Sequence, residues 1–329
     1  MPPVQLPSWR GQADDACRTL RDVDAWAGSP SMTALVAAFG GSVGALRGAP
    51  LIRFLDEFAA DVWDFRAGRE RNLAPAATLT AAQAALVLDS AVDLGFAGQE
   101  APSADHYDTV LLTGGMVRAG LVKPRFMADL LAAGLSVSHV VFLGAHRPFG
   151  GDEAGIARAL GVEGEDETDA MLHGLERAFG PLGEPTSRAA SDDGGEAAGN
   201  ASWLDLHWAD GSPTIGVIAA PSSAPELRRA HTRDTYEHWA AGRGAGVGSS
   251  TLVVTTAVYV PYQAAGAVEV LGLGYGFEVE TIGVSAAAND LGGLTQVFGP
   301  QEHLQELRSA IRGMRSLRDR LAAPPGIRT

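Results

Sequence analysis

The chain has 329 residues, 46% of them hydrophobic, and a mean hydropathy of +0.04; this globular composition has length enough for one large domain or two smaller ones. Its formal net charge of −14 repels a nucleic-acid backbone, and its one cysteine, Cys17, allows no internal disulfide and no thiolate metal cluster. Apolar stretches are broken by Gly, Asp or Arg before about 18 residues, and Met1–Pro7 has no basic region followed by an apolar run, so neither a membrane span nor a secretory signal is expected.

Residues 1–100 read as a helical region packed on the rest of the chain. One helix ends at Trp26-Ala27 before Gly28-Ser29-Pro30, and Leu51, Phe54, Leu55, Phe58, Val62 and Phe65 recur at helical spacing. Thr78-Leu79-Thr80 offers a cap before Ala81–Leu94. From residue 107 the pattern changes. Thr109–Thr113 is a short apolar run closed by Gly114-Gly115, as a buried parallel strand should be. Pro124 stands at an expected helix start, with Phe126, Met127, Leu130 and Leu131 on its apolar face and Gly134 as its stop. The strand Ser138–Leu143 and the helix Thr168–Phe179 come next. Residues 183–202 hold no aliphatic side chain larger than alanine, apart from one proline, and no aromatic, which predicts a flexible loop. Residues 203–218 then read as an inserted β-hairpin around Asp210-Gly211. The helix Thr235–Ala241, strand Thr251–Thr256, helix Pro261–Leu271 and strand Phe277–Gly283 continue the alternation. Leu304, Leu307, Ile311, Met314, Leu317 and Leu321 mark a closing helix. Arg308, Arg312, Arg315, Arg318 and Arg320 on that helix read as a solvated face.

Strands alternating with helices predict a mostly parallel sheet over residues 101–329, and ligands of such sheets bind beyond the carboxyl ends of the strands. Four loops fall there. Gly114 and Gly115 allow close backbone approach to an anion, with Arg118 and Arg125 (and Lys123) supplying charge. The second loop sets His146 beside Arg147, Asp152 and Glu153, an acid/base and anion-clamp set. The third places Glu167 at a helix start. In the fourth, Asp234 and Glu237 have capping-box spacing, which leaves Thr235 and His238 to reach outward. Tyr259 and Tyr262, after Thr255-Thr256, can line a pocket. Neither nucleotide fingerprint, no H-E-x-x-H, no G-x-S-x-G and no Cys/His ligand set occurs, so no metal site is expected.

In order and spacing, these segments resemble the SanA/YdcF-like family, a domain family of unknown function. Leu111–Gly115 with Arg118 and Arg125 resembles its glycine-rich turn. Val140–Gly144 resembles its second strand, Glu167 and Met171 its Glu-x-x-x-Met helix start, and Asp234–Glu237 its Thr-x-Glu-Asn helix start. Val254–Tyr262 resembles its last strand and following segment, with Tyr259 at the family's histidine position and Tyr262 at its arginine position. The resemblance covers roughly residues 107–285. It implies a Rossmann-like three-layer α/β/α fold and a cleft for a small nucleotide-like or phosphate-bearing molecule, with S-adenosylmethionine or a nucleotide as the cofactors within its range. Many members carry an amino-terminal membrane anchor; this chain is expected without one, in the cytoplasm.

Two functions are expected from this pattern. The first is an enzyme acting on a nucleotide-like or otherwise anionic small molecule. Its catalytic residues would be His146, Glu167 and Glu237, and its ligand-binding residues Gly114, Gly115, Arg118, Arg125, Arg147, Thr235, Thr255, Tyr259 and Tyr262. The second is a non-catalytic binding or regulatory protein with the same cleft. The cluster around His146 favours the first; the two tyrosine replacements favour the second.

Overall fold

The computed structural model describes residues 4–65, 77–98, 101–191, 199–244 and 246–323. The apolar runs after residue 105 form a seven-stranded sheet. Its strands are β1 (His106–Thr113), β2 (Ser136–Gly144), β3 (Ser187–Ala190), β4 (Leu204–Trp208), β5 (Thr214–Ala219), β6 (Ser250–Thr255) and β7 (Glu278–Gly283), in the order β3-β4-β5-β2-β1-β6-β7. The five from β5 to β7 are parallel, with Val110 opposite Val140 and Leu252 in the central strands. Alternate side chains of each strand enter opposite layers. Val110, Leu112, Val140 and Phe142 join a core with helices α5 (Val117–Ala132) and α7 (Glu167–Phe179). Leu111, Val141 and Val253 join the other core, with α8 (Thr232–Ala241) and the turns after α9 (Val260–Ala267). The molecule is therefore α/β, with helices on both faces of a mostly parallel sheet.

Three local expectations are corrected. The segment 203–218 does form a hairpin, with Leu206 opposite Val217, but its second strand, β5, also pairs in parallel with β2. It is a core strand of the sheet rather than an insertion. Within the expected loop 183–202, Ser187–Ala190 pairs with β4 as the edge strand β3. An edge strand facing solvent needs ladder hydrogen bonds and no apolar side chains, so its composition conceals it. The remainder of that stretch, residues 192–198, lies outside the described residues. Finally, α5 begins at Val117, and Pro124 lies inside it. Proline leaves the carbonyl four residues back without its helical donor. That carbonyl belongs to Gly120, and it lies so near Gly174 of α7 that a Cβ there would sit 1.9 Å from the oxygen. The two glycines let the helices cross at close range.

The amino-terminal region is helical: α1 (Asp15–Ala27), α2 (Pro30–Ala38), α3 (Gly48–Val62) and α4 (Ala81–Asp93). Thr80 caps α4 in a reciprocal capping box with Gln83. These helices do not close a core by themselves. Trp26, Met32, Leu35, Ile52, Leu55 and Trp63 pack against Leu304, Leu307, Ile311, Met314 and Leu317 of the closing helix α10 (Pro300–Ala322). The arginine face of α10 is correspondingly solvated only in part, with Arg312 exposed. Arg308 pairs with Asp64 at 3.1 Å, Arg315 with Asp56 at 2.7 Å and Arg318 with Asp24 at 2.7 Å, so three arginines bind it to the amino-terminal region. Among the described residues no helix is long and apolar enough to cross a membrane.

Candidate functional site

At the carboxyl ends of β1, β2, β5 and β6 the connecting loops part and α10 passes across the gap, leaving a cleft of about 680 Å³. This is the size range of small-molecule sites, and it lies where an open parallel sheet is expected to bind ligands. Gly114, Gly115, Arg147 and Glu167 form one wall. Arg228, Arg229 and His231, between β5 and α8, form a second; Tyr259, Tyr262 and Gln263, after β6, form a third. Glu306, Arg308, Ser309 and Arg312 close it from α10.

The Gly114-Gly115 turn is built around an internal carboxylate. A Cβ at Gly114 would stand 2.0 Å from Glu167 Oε1, so a side chain is excluded. Gly115 N–H donates to Glu167 Oε1 at 2.7 Å, and Val117 N–H donates to Glu153 Oε1 at 2.7 Å. Glu153 opens the short helix α6 (Glu153–Ala159). Arg147 lies between the two carboxylates, donating from Nε to Glu167 (3.0 Å) and from both terminal nitrogens to Glu153 (2.7 and 2.8 Å), with a further bond to Gly115 O (2.9 Å). The amino end of α5, the expected place of an external anion, is thus already occupied by two glutamates of the chain. Burial pushes the Glu167 carboxyl upward against the pull of Arg147 and the Gly115 N–H. In Glu153 burial pushes the carboxyl upward, but the hydrogen bonds and charge of Arg147 and the Val117 and Gly150 N–H groups together outweigh it and hold the carboxyl below its ordinary range.

Beneath this turn Lys123 is fully buried, and its Nζ donates to Thr113 O, to Thr113 Oγ1 (3.0 Å) and to Gly114 O (2.9 Å). Burial pulls its pKa down to about 7, with Glu167 opposing. Thr113 Oγ1 in turn donates to Thr255 Oγ1 at 2.9 Å, which ties the ends of β1 and β6 together.

The structure separates the expected site residues into two groups. Gly114, Gly115, Arg147, Glu167, Tyr259 and Tyr262 converge on the cleft wall. The others do not reach it. Arg118 donates to Leu294 O at 2.5 Å, and Arg125 donates to the carbonyls of Ala288 and of Asp290 (2.9 Å), so both guanidiniums fix the segment after β7. The His146 side chain is only 6% exposed, off the cleft wall, with Nδ1 3.8 Å from Asp166 Oδ2. That is too far for a hydrogen bond. Thr255 lies under the floor, and Thr235 is buried with its hydroxyl donating to Thr232 O at 2.9 Å. Glu237 is exposed and accepts from the Tyr275 hydroxyl at 2.8 Å. It is not the partner of Asp234 in a capping box either, because α8 starts earlier: His231 is the N-cap, and its N–H donates to Asp234 at 2.9 Å.

The cationic wall of Arg228, Arg229 and His231 is not among the residues that the sequence patterns single out. Its signal is an Arg-Arg-Ala-His run after an apolar strand, and that signal is lost when β5 is taken for part of an insertion. Arg312 is likewise hidden among the other arginines of its helix face. Among the described residues it has no carboxylate within ion-pair distance, unlike Arg308, Arg315 and Arg318.

Fold and cleft together define an α/β protein with a cation-bearing cleft at the carboxyl edge of its sheet. Residues 10–95 match the model of a family described as the Rv3785 N-terminal domain. Across the chain, uncharacterized protein Rv3785 of Mycobacterium tuberculosis (strain ATCC 25618 / H37Rv) is 29% identical over 334 residues, covering 94% of this chain and 92% of that protein. Uncharacterized protein Mb3814 of Mycobacterium bovis has the same identity and coverage. No solved structure matches. These findings overturn the resemblance to the SanA/YdcF-like family, since the family that matches is a different one and lies over the helical region that the resemblance left out. The motifs that suggested it have local causes. Glycines after a strand make room for Glu167, and Met171 fills the core between α7 and the sheet.

Proposed function

We propose that this protein binds a small anionic molecule of nucleotide-like size in the cleft at the carboxyl edge of the sheet. One observation carries the reading: in a chain of net charge −14, Arg147, Arg228, Arg229, His231, Arg308 and Arg312 border a single cleft. Arg147 is consumed by Glu153 and Glu167, Arg228 by Asp234 and Arg308 by Asp64. Arg312 is therefore the group assigned to the ligand's anion. Tyr259, set edge-on to Phe298 at 6.0 Å, and Tyr262 supply an aromatic wall for a planar group. Exposed Cys17, the one cysteine, fits a reducing compartment such as the cytoplasm.

A ligand at about one hundred times its Kd stabilises the folded state by roughly 2.7 kcal/mol. A thermal-shift screen of nucleotides, sugar phosphates, dicarboxylates and S-adenosylmethionine is therefore expected to give a rise of a few degrees with at least one anion. Arg312→Ala should weaken that ligand about tenfold or more, the scale of a lost charged hydrogen bond. An undiminished shift in this variant would place the anion elsewhere and end the proposal.

A further inference from the structure

We infer that the cleft is a hydrolytic site for phosphoesters, with His231 as general base and Asp234 as its positioning residue, an inference that rests on the anion-binding reading above. His231 stands on the cleft wall next to Arg228 and Arg229, its side chain 44% exposed, and its Nδ1 lies 3.1 Å from Asp234 Oδ2. Asp234 itself is buried and held by the Arg228 guanidinium, by Ser223 N–H (3.2 Å) and by His231 N–H (2.9 Å). Burial alone would raise its carboxyl; these donors outweigh burial and keep it well below the usual carboxylate range. A fixed negative oxygen beside Nδ1 favours the tautomer protonated there, which leaves Nε2 as the basic nitrogen. Burial lowers the proton affinity of the ring, Arg228 and Arg233 act in the same direction and Asp234 opposes them. The ring is accordingly a free base at neutral pH, as a general base must be.

The reaction that these groups fit uses water as the nucleophile. Nε2 of His231 takes a proton from water while the water oxygen forms a bond to phosphorus. The bond from phosphorus to the leaving oxygen breaks, its electron pair stays on that oxygen, and the proton held by His231 passes to it. Ester and water become phosphate and alcohol, with no oxidant or further reactant. Arg312 neutralises the phosphoryl oxygens on which charge is carried.

The test uses the full chain with p-nitrophenyl phosphate, bis(p-nitrophenyl) phosphate, ADP and ATP, recording melting shift, nitrophenolate and inorganic phosphate together. At least one compound should be both bound and hydrolysed. His231→Gln should retain its melting shift and lose turnover by about 10²- to 10⁴-fold, the usual worth of a general base. In Asp234→Asn the ring loses the group that raises its proton affinity, so the acid limb of the pH–rate profile should move to lower pH; a merely structural role would leave that limb in place. Turnover undiminished in His231→Gln overturns the inference. A compound that raises the melting temperature but is not hydrolysed overturns it too, and leaves the binding reading standing. No shift with any of these compounds overturns the inference, while the binding reading then stands or falls on the wider anion screen.

Discussion

Lys123 illustrates how much of the site is decided by single buried groups. Its ammonium lies under the Gly114-Gly115 turn among oxygen acceptors, and burial brings its pKa down from 10.5 to about 7. The unfolded chain then keeps a proton between pH 7 and 10.5 that the folded chain releases, so the lysine makes stability rise with pH across that window. Lys123→Met should flatten this rise, as measured by urea midpoints at about pH 7.5 and pH 9.5; equal slopes in wild type and variant would refute the account. The lysine and the two glycines stand close together in sequence, and the turn is visible there. Its true occupant is not, because Glu153 and Glu167 arrive from loops 36 and 52 positions away from the amides they cap. Charge alone suggests Arg118 and Arg125 as anion binders, yet an arginine near an unsatisfied carbonyl turn serves it equally well, and charge does not tell the two uses apart.

Elements are legible in proportion to the apolar side chains they bury. The strands β1, β2 and β6 carry apolar runs bounded by glycine or polar residues, β7 alternates polar with buried apolar residues, and each lies within a few residues of its expected place. The strand β3, made of Ser, Arg and two Ala, buries little beyond part of Ala190, and its existence depends on a partner. The start of α5 is hidden by Pro124, whose usual place is the first turn of a helix. Here the interruption is used, since the freed Gly120 carbonyl lies against Gly174 at the crossing of α5 and α7. Gly174→Ala would put a methyl carbon 1.9 Å from that oxygen and force the helices apart. Overpacking of this kind costs roughly 1–3 kcal/mol. The variant should lose that much in chemical denaturation and should loosen the Glu167 end of α7, seen as faster amide exchange at Gly115. A neutral Gly174→Ala would show that the crossing has room to spare.

At the scale of the whole molecule, α10 joins what the sequence presents as separate parts. One side of it completes the amino-terminal core, three of its arginines pair with aspartates of that region, and Glu306, Ser309 and Arg312 reach the cleft. The amino-terminal helices thereby fix the position of a cleft residue without lining the cleft. Met314 is fully buried at the centre of this shared core. Met314→Ala should cost about 2–5 kcal/mol, the range for truncating a buried side chain of this size. Because the core is shared, the loss should appear in one transition, with far-ultraviolet circular dichroism and tryptophan fluorescence moving together. Loosening α10 should also weaken whatever anion Arg312 helps to hold, so the ligand-induced melting shift should shrink in Met314→Ala although Met314 belongs to the core and not to the cleft wall. Two separated transitions, with an intact ligand shift in the one that reports the sheet, would show instead that the helical region and the sheet fold as independent units and that α10 belongs to the first alone.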